Sequence, residues 1–362
     1  MKHRLLTSLV MLSLMTNLYA DEHKSSAQIL QDALAKMEAL VAKKPVKKDI
    51  NASTFTLGKY GTFKFKKVNK NVYIMHGPVV SPNKENQGFM NNPAVIESEH
   101  GLIVIDPGGN YNVGKKVLAE IEKVSRKPII AVFNTHKHGD HWFANKAIVE
   151  KYPNVDIYAH PNMIKATKDE GEAEVWYGIL NRATGGNLKG TKEFAFPTKT
   201  LKDGQKIEID GQKFVVQHPH DAHTNTDLLI AHMNSMTLFL GDNVMKGRLG
   251  SFDESSSILG NIALLENIKN ETDFKLYVPG HGLSGKRDET ITPFLNYLKV
   301  LATEGKIAYD DDKESYEIKD EVIKKLPWMN NWDAFKKNMP AHLNKVMQEY
   351  GEQELAADDS EE

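Results

Sequence analysis

Asn134-Thr135-His136-Lys137-His138-Gly139-Asp140-His141 packs three imidazoles and a carboxylate into the six residues from His136 to His141. The string lies between Ile129–Asn134, a continuous apolar run that reads as a buried strand, and a helical pattern over about Trp142–Lys151. A loop leaving a strand turns alternate side chains to different positions, so His136 and His138 can reach one metal ion while Asp140 and His141 reach a second. Imidazole and carboxylate suit zinc, with iron or manganese as alternatives, when no thiolate is on offer. None is: the chain has no cysteine, which also removes a disulfide framework and a thiolate nucleophile.

Four donors cannot complete two sites, and more stand at the ends of later strand-like runs. His223-Thr224 precedes Leu228–Met233, Gly241-Asp242 follows Thr237–Leu240, and Pro279-Gly280-His281-Gly282 follows Leu276–Val278. Ligands at strand ends are fixed on a rigid scaffold while the mouth stays open to substrate. His218 and His220 compete with His223 in the same loop, whereas His76, His100, His160, His232 and His342 read as ordinary hydrogen-bonding residues. Lys246 and Arg248, just past Asp242, are either surface charge or a grip for a substrate carboxylate or phosphate.

Further out, β-rich runs come first, at Thr62–Lys67, Val72–Met75, Ala94–Glu99 and Leu102–Asp106. A helix over about Val113–Val124 and a strand at Asp156–Ala159 follow, and residues 161–200 form a long, glycine-punctuated helical connection carrying Trp176 and Tyr177. Asp210-Gly211 and Asn234-Ser235 read as two-residue hairpin turns, and Thr290–Thr303 as a helix. Two sets of strands, each followed by helices, predict two packed sheets with helices on their outer faces.

These motifs together, H-x-H-x-D-H at 136–141, H-T at 223–224, G-D at 241–242 and P-G-H-G at 279–282, resemble the metallo-β-lactamase superfamily over about residues 59–305. The resemblance implies an αβ/βα four-layer sandwich with the site along one edge of the sheets, here with N- and C-terminal helical extensions. It implies His136, His138 and His223 on a first metal, Asp140, His141 and His281 on a second, and Asp242 bridging the two divalent ions, of which zinc is the leading candidate. Asp106, in Ile105-Asp106-Pro107-Gly108, would orient the histidine loop. Gly77–Asn92 lies where the family places a substrate-covering flap, unless its Val79, Val80, Phe89 and Met90 pack inward.

Departures from the family's sub-patterns narrow the activity. A complete set with both His141 and Asp242 is similar to the thioesterase and general-hydrolase branches of the glyoxalase II kind. Flavodiiron oxygen reductases carry Glu where His138 stands, which disfavours redox chemistry. The expected reaction is hydrolysis of an ester, thioester, lactone or amide bond of a small molecule by hydroxide activated between two metals, with Asp140 also placed to hold or return a proton. β-Lactam hydrolysis is the runner-up, and a non-catalytic metal-binding or periplasmic accessory protein is the reading from another class.

The ends and the composition set the context. Residues 1–20 read as a cleavable signal peptide, with Lys2 and Arg4 before the apolar Leu5–Met15 and a cut expected after Ala20, which predicts a periplasmic or secreted protein with no membrane span. Residues 21–58 form an N-terminal extension with an amphipathic helix over Ser25–Lys44, 59–305 the hydrolase domain, 306–350 a C-terminal helical extension, and 351–362, with six acids and no base, an acidic disordered tail. Trp332, Phe335, Met339, Leu343 and Val346 make one apolar stripe on the C-terminal extension. A net charge of −2, or −4 without Lys2 and Arg4, gives no reason to expect a nucleic-acid partner.

Overall fold

The computed structural model describes Thr54–Glu361, with side chains to residue 358; the expected signal peptide and the helix at Ser25–Lys44 lie outside the described residues. A first sheet runs β1 (Lys66–Asn69), β2 (Val72–Ile74), β3 (Ala94–Glu97), β4 (Leu102–Ile105), β5 (Ile129–Phe133), β6 (Asp156–Ala159) and β7 (Lys199–Thr200) in sequence order. The second has β8 (Lys206–Ile209), β9 (Gln212–Gln217), β10 (Leu229–His232), β11 (Thr237–Gly241) and β12 (Leu276–Pro279), ordered β12-β11-β10-β9-β8. Pairing is antiparallel from β1 to β4 and parallel from β4 to β7. In the second sheet only β11 and β12 run parallel.

The two-residue period of the strands sorts their side chains into layers. Ala94, Ile96, Ile103 and Ile105 face the other sheet and meet Phe214, Val216, Ile230 and Phe239. Val95, Leu102 and Val104 face the other way, onto Val113, Val117 and Ile121 of α1 (Tyr111–Val124). On the far side, Leu229, Ala231, Leu238 and Leu240 pack against helices at Ile258–Glu271, Arg287–Asp310 and Phe335–Glu361. The result is the expected four-layer αβ/βα sandwich. Strand β4 is buried along its length and β5 at every residue but Ile130, which is why they read as unbroken apolar runs.

Several local expectations need correction. The helix expected at Trp142–Lys151 is two, α2 (Gly139–Trp142) and α3 (Asn145–Lys151), because the Ala144 amide donates to Gly108 O at 2.8 Å instead of continuing one helical ladder. The first strand begins at Lys66 rather than Thr62, since Phe63 turns into an aromatic cluster with Phe55 and Phe89. Asp210-Gly211 is a two-residue turn, both residues at positive φ. Asn234-Ser235 is not: pairing of His232 with Thr237 leaves a four-residue loop, with Ser235 Oγ 2.7 Å from His232 Nδ1.

Beyond α4 (Pro161–Ile164) and α5 (Glu172–Ala183), the helix α6 (Ile258–Glu271) was not anticipated, and α7 (Arg287–Asp310) is longer than the Thr290–Thr303 expected and crosses residues 305–306. The C-terminal stripe buries Phe335, Met339, Leu343 and Val346 into the same apolar layer, after α8 (Ser315–Lys325). The expected disordered tail is instead the end of α9 (Phe335–Glu361). Leu355, Ala356 and Ala357 propagate a helix already nucleated upstream, and Tyr309 Oη ties Glu354 at 2.7 Å. Among the described residues no helix is long and apolar enough to cross a membrane.

Candidate metal centre

The C-terminal ends of β4, β5, β11 and β12 deliver Asp106, the loop from Asn134 to His141, Asp242 and His281 to one edge, and His223 arrives on the loop before β10. The histidine loop is held from both sides. Asn134 and Asn145 exchange side-chain amide bonds at 2.8 and 3.3 Å, Thr135 O accepts from the Leu228 amide at 2.7 Å, and the Lys137 amide donates to Thr226 Oγ1 at 3.1 Å. The Gly280 amide donates to Gly241 O at 2.7 Å, which sets His281 beside Asp242.

The structure brings all seven expected donors together, in two groups. His136, His138, His223 and Asp242 form one, with a ligand atom from each within 4.8 Å of the others; Asp140, His141 and His281 form the second by the same measure. Asp242 links them, with Oδ1 3.3 Å from His141 Nε2 and Oδ2 3.2 Å from His281 Nε2 and 3.9 Å from His223 Nε2. All seven are buried. His138 Nδ1 and His223 Nε2 stand 3.1 Å apart, and His141 Nε2 and His281 Nε2 3.3 Å apart, while His136 Nε2 and Asp242 Oδ1 are buried without a hydrogen-bond partner. Ring nitrogens facing one another across buried carboxylates, with orphaned lone pairs among them, fit a pair of cations.

The sequence profile described as the metallo-beta-lactamase superfamily matches residues 87–281, more than half of the chain. The chain belongs to this superfamily. A linear primary-alkylsulfatase from Pseudomonas sp. is 28% identical over 180 residues, 42% of this chain and 33% of that protein. A metallo-beta-lactamase type 2 from Bacillus cereus is 24% identical over 237 residues, 63% of this chain and 79% of that one. The solved structure of a stereoselective inverting sec-alkylsulfatase from Pseudomonas sp. shares the fold, with a TM-score of 0.60 at 16% identity over 80% of this chain and 50% of that one. The chain thus spans a third of the length of the first alkylsulfatase and half of the second.

In this member of the metallo-beta-lactamase superfamily, the groups behind the donors decide how they point. Asp106 Oδ2 lies 2.8 Å from His141 Nδ1 and 2.6 Å from Thr135 Oγ1, and Oδ1 takes the Thr135 amide at 2.9 Å. His281 Nδ1 lies 2.9 Å from Met90 O, and His136 Nδ1 2.9 Å from Thr135 Oγ1. Burial pushes His223 down to about 3 and His136 well below the usual histidine range, aided by neighbouring rings, so both are neutral. Burial also opposes the charge of Asp140 and Asp242, but nearby His141 and His281 overcome it and hold both carboxyls below their ordinary range. Burial opposes protonation of His141 and His281, but the carboxylates beside them, Asp242 foremost, raise both, so each of these rings would give up a proton on taking up a cation.

The loop Gly77–Asn92 forms a wall rather than a free flap. Phe89 and Met90 are buried, Asn92 Nδ2 donates to Pro279 O and Gly282 O at 2.9 and 2.6 Å, and Asn91 Nδ2 to Asp106 O at 2.7 Å; Val79 and Val80 are half-buried, and Lys84 and Glu85 are exposed. His218 turns away from the centre, with Nδ1 2.7 Å from Asp227 O and its ring stacked on His160 at 3.6 Å.

Three neighbours were not anticipated in their roles. Asp253 Oδ2 lies 3.4 Å from His138 Nε2 and 3.1 Å from Lys137 Nζ, and Lys137, itself buried, also reaches Glu172 at 3.3 Å. Trp176 packs its ring 4.2 Å from that of His138. A cavity of about 850 Å³ opens there, lined among others by Lys137, Val175, Trp176, Ile179, Phe252 and Asp253. Of these, only Trp176 and Lys137 carried any signal, the one as an aromatic in the long connection and the other inside the histidine string.

Proposed function

We propose that the protein is a metal-dependent hydrolase that binds two divalent cations, zinc foremost, and cleaves an ester, thioester, lactone or amide bond of a small molecule. The observation that carries this reading is the pair of buried donor groups linked by Asp242, with His136 Nε2 and Asp242 Oδ1 between them lacking hydrogen-bond partners. In this reading His136, His138 and His223 hold one ion, Asp140, His141 and His281 the other, and Asp242 both. Bound cations would supply Lewis acidity, lowering the pKa of a nearby water and polarising the bond to be broken.

The chain's own residues do the rest. Asp106 fixes the ring of His141, Met90 O that of His281, and Asp253 that of His138, so each presents one nitrogen to the centre. Asp140, 3.3 Å from His281 Nε2 through Oδ2, is positioned to hold a proton and return it to the leaving group. Substrate entry is placed at the cavity bordered by Lys137, Trp176 and Asp253, of which Trp176 and Asp253 contact His138. Ester, thioester, lactone and amide bonds remain in the candidate set with β-lactams as runner-up, and the alkylsulfatase relatives add sulfate esters to it.

The test is metal analysis of the purified chain together with turnover of a chromogenic lactam, a thioester, a lactone, a sulfate ester and bis-p-nitrophenyl phosphate. The expected result is two ions per chain, one preferred substrate, and loss of turnover on chelation that zinc restores. A His138→Ala variant that kept both ions and full turnover would overturn the assignment. Export belongs to the same proposal: a mature N-terminus at Asp21, read by mass spectrometry of the exported protein, is the expected result.

A further inference from the structure

The cavity of about 850 Å³ beside His138 has walls from two helices that carry none of the seven donors. One is α5, through Val175, Trp176 and Ile179; the other is α9, through Ala341, Lys345 and Gln348. α9 lies outside the matched residues 87–281, so the matched region does not supply this wall. It also holds the loop that faces α5. Asn338 Nδ2 donates to Leu249 O and Gly250 O at 3.0 and 2.8 Å, His342 Nε2 lies 3.0 Å from Gly250 O, and Lys345 Nζ donates to Glu254 O at 3.3 Å. Between these anchors stands Phe252, its ring 4.8 Å from that of His342 and 5.9 Å from that of His223.

The lysines of the cavity are answered from within, and its apolar groups are not. Lys165 pairs with Glu170 at 2.6 Å, and Lys137 with Glu172 at 3.3 Å and Asp253 at 3.1 Å. Val175, by contrast, is 57% exposed and Ile179 38%, one turn apart on α5, with Trp176 and Phe252 half-buried beside them. Apolar side chains left open in a concave site among a few paired charges have the make-up of a small-molecule pocket. The approach to α5 adds a second sign. Lys165–Asp169 forms a π-helical turn, a geometry that recurs at functional sites, and Lys165 and Ala166 line this cavity. Both aromatic rings adjoin the first group of donors, Trp176 at 4.2 Å from His138 and Phe252 beside His223.

We propose that this cavity is the subsite for a bulky, uncharged apolar group of the substrate, an aryl or an extended or branched alkyl group, held between α5 and Phe252. This rests on the hydrolase reading and deepens it: among the candidate bonds, those that carry such a group are the ones cleaved well. Val175, Ile179 and Phe252 then set which group is accepted.

The test uses the zinc-loaded full chain. Calorimetric titration with 1-naphthalenemethanol, an uncharged apolar probe, reads the cavity without turnover. Values of kcat/KM are compared for small and bulky members of whichever bond class the wild type cleaves, methyl acetate and p-nitrophenyl hexanoate for an ester. Comparing variant with wild type cancels the intrinsic reactivity of each substrate. The expected result is that the probe binds the wild type and that Val175→Asp combined with Ile179→Asp weakens it about 10- to 100-fold at full metal content, as losing the burial of one or two apolar side chains implies. The bulky-to-small ratio of kcat/KM should fall by about 10-fold or more. Ile179→Trp, which fills the cavity instead of charging it, should lower both readouts, and decides the matter if the double variant does not fold. Absence of probe binding in the wild type, equal affinities in wild type and variants, or unaltered substrate ratios in variants that no longer bind the probe would overturn the proposal. Probe binding that depends on Ile179 in a protein with no turnover of any bond class would instead sink the hydrolase reading and leave the apolar site standing.

Discussion

Asp106 Oδ2 lies 2.8 Å from His141 Nδ1, and the same carboxylate holds Thr135 by both hydroxyl and amide, so one side chain sets the start of the histidine loop and the aim of a ring near its end. Asp106 does this from a left-handed backbone, φ 47°, which Asn tolerates nearly as well as Asp. Asp106→Asn therefore removes charge with little added strain. The expected outcome is a folded protein whose zinc affinity, measured by competition with a chromogenic chelator, is lower by about 10- to 100-fold. Unchanged affinity would show that His141 is oriented by other means.

Gly280 is the close approach on which the shared carboxylate depends. A Cβ there would collide with Asp242 Oδ1 and come within 3.0 Å of His141 Cε1 and of the Gly241 carbonyl carbon. Gly280→Ala should fold, because the collision falls on the metal donors rather than on the apolar layers. Its metal content, by atomic emission, should drop below two ions per chain. Retention of both ions at wild-type affinity would mean that Asp242 is not where the ions are held.

Glu349 caps α6 from a helix some ninety residues away in sequence. Its carboxylate accepts from the amides of Ile258 and Leu259 at 2.7 and 3.0 Å and from Ser257 Oγ at 2.9 Å. A buried acid on unpaired amides at a helix N-terminus contributes on the order of 1–2 kcal/mol. Glu349→Ala should lower the midpoint of urea unfolding accordingly, with Glu349→Gln losing less. No change in either variant would show the contact to be incidental.

His342 makes the same part of the molecule sensitive to acid. Burial pushes its pKa down to about 4, with Gly250 O accepting at 3.0 Å from Nε2 and Tyr297 Oη 2.7 Å from Nδ1. Because the folded pKa is below the ordinary value near 6.5, the neutral ring's contribution is complete above about pH 6.5 and is lost as pH falls through about 4. The loss is on the order of 3 kcal/mol. The difference in unfolding free energy between wild type and His342→Gln should shrink between pH 7 and pH 4.5. A difference that stays flat across that interval would contradict neutral burial.

The local pattern carried much of this into the sequence itself. Strand periods of two separated the layers, Asp210-Gly211 announced its turn because both positions need positive φ, and the string from His136 to His141 is dense enough to mark a site without any fold. Where local signals were outvoted, the reading failed for identifiable reasons. Gly108 O breaks the helix after Trp142, Phe89 and Met90 turn the supposed flap inward, and α9 carries the acidic segment along as helix because the turns before it are already packed.

By itself, the sequence determined which side chains could bind metal, since residue type and strand-end position are local properties. Only the tertiary structure decided what stands behind and beside them. Asp253 reaches His138 across 115 residues and Arg248 reaches His281 across 33. Such pairings depend on where loops from different strands cross, and on which charges burial brings together. Neither has a period or a spacing that a linear chain can display.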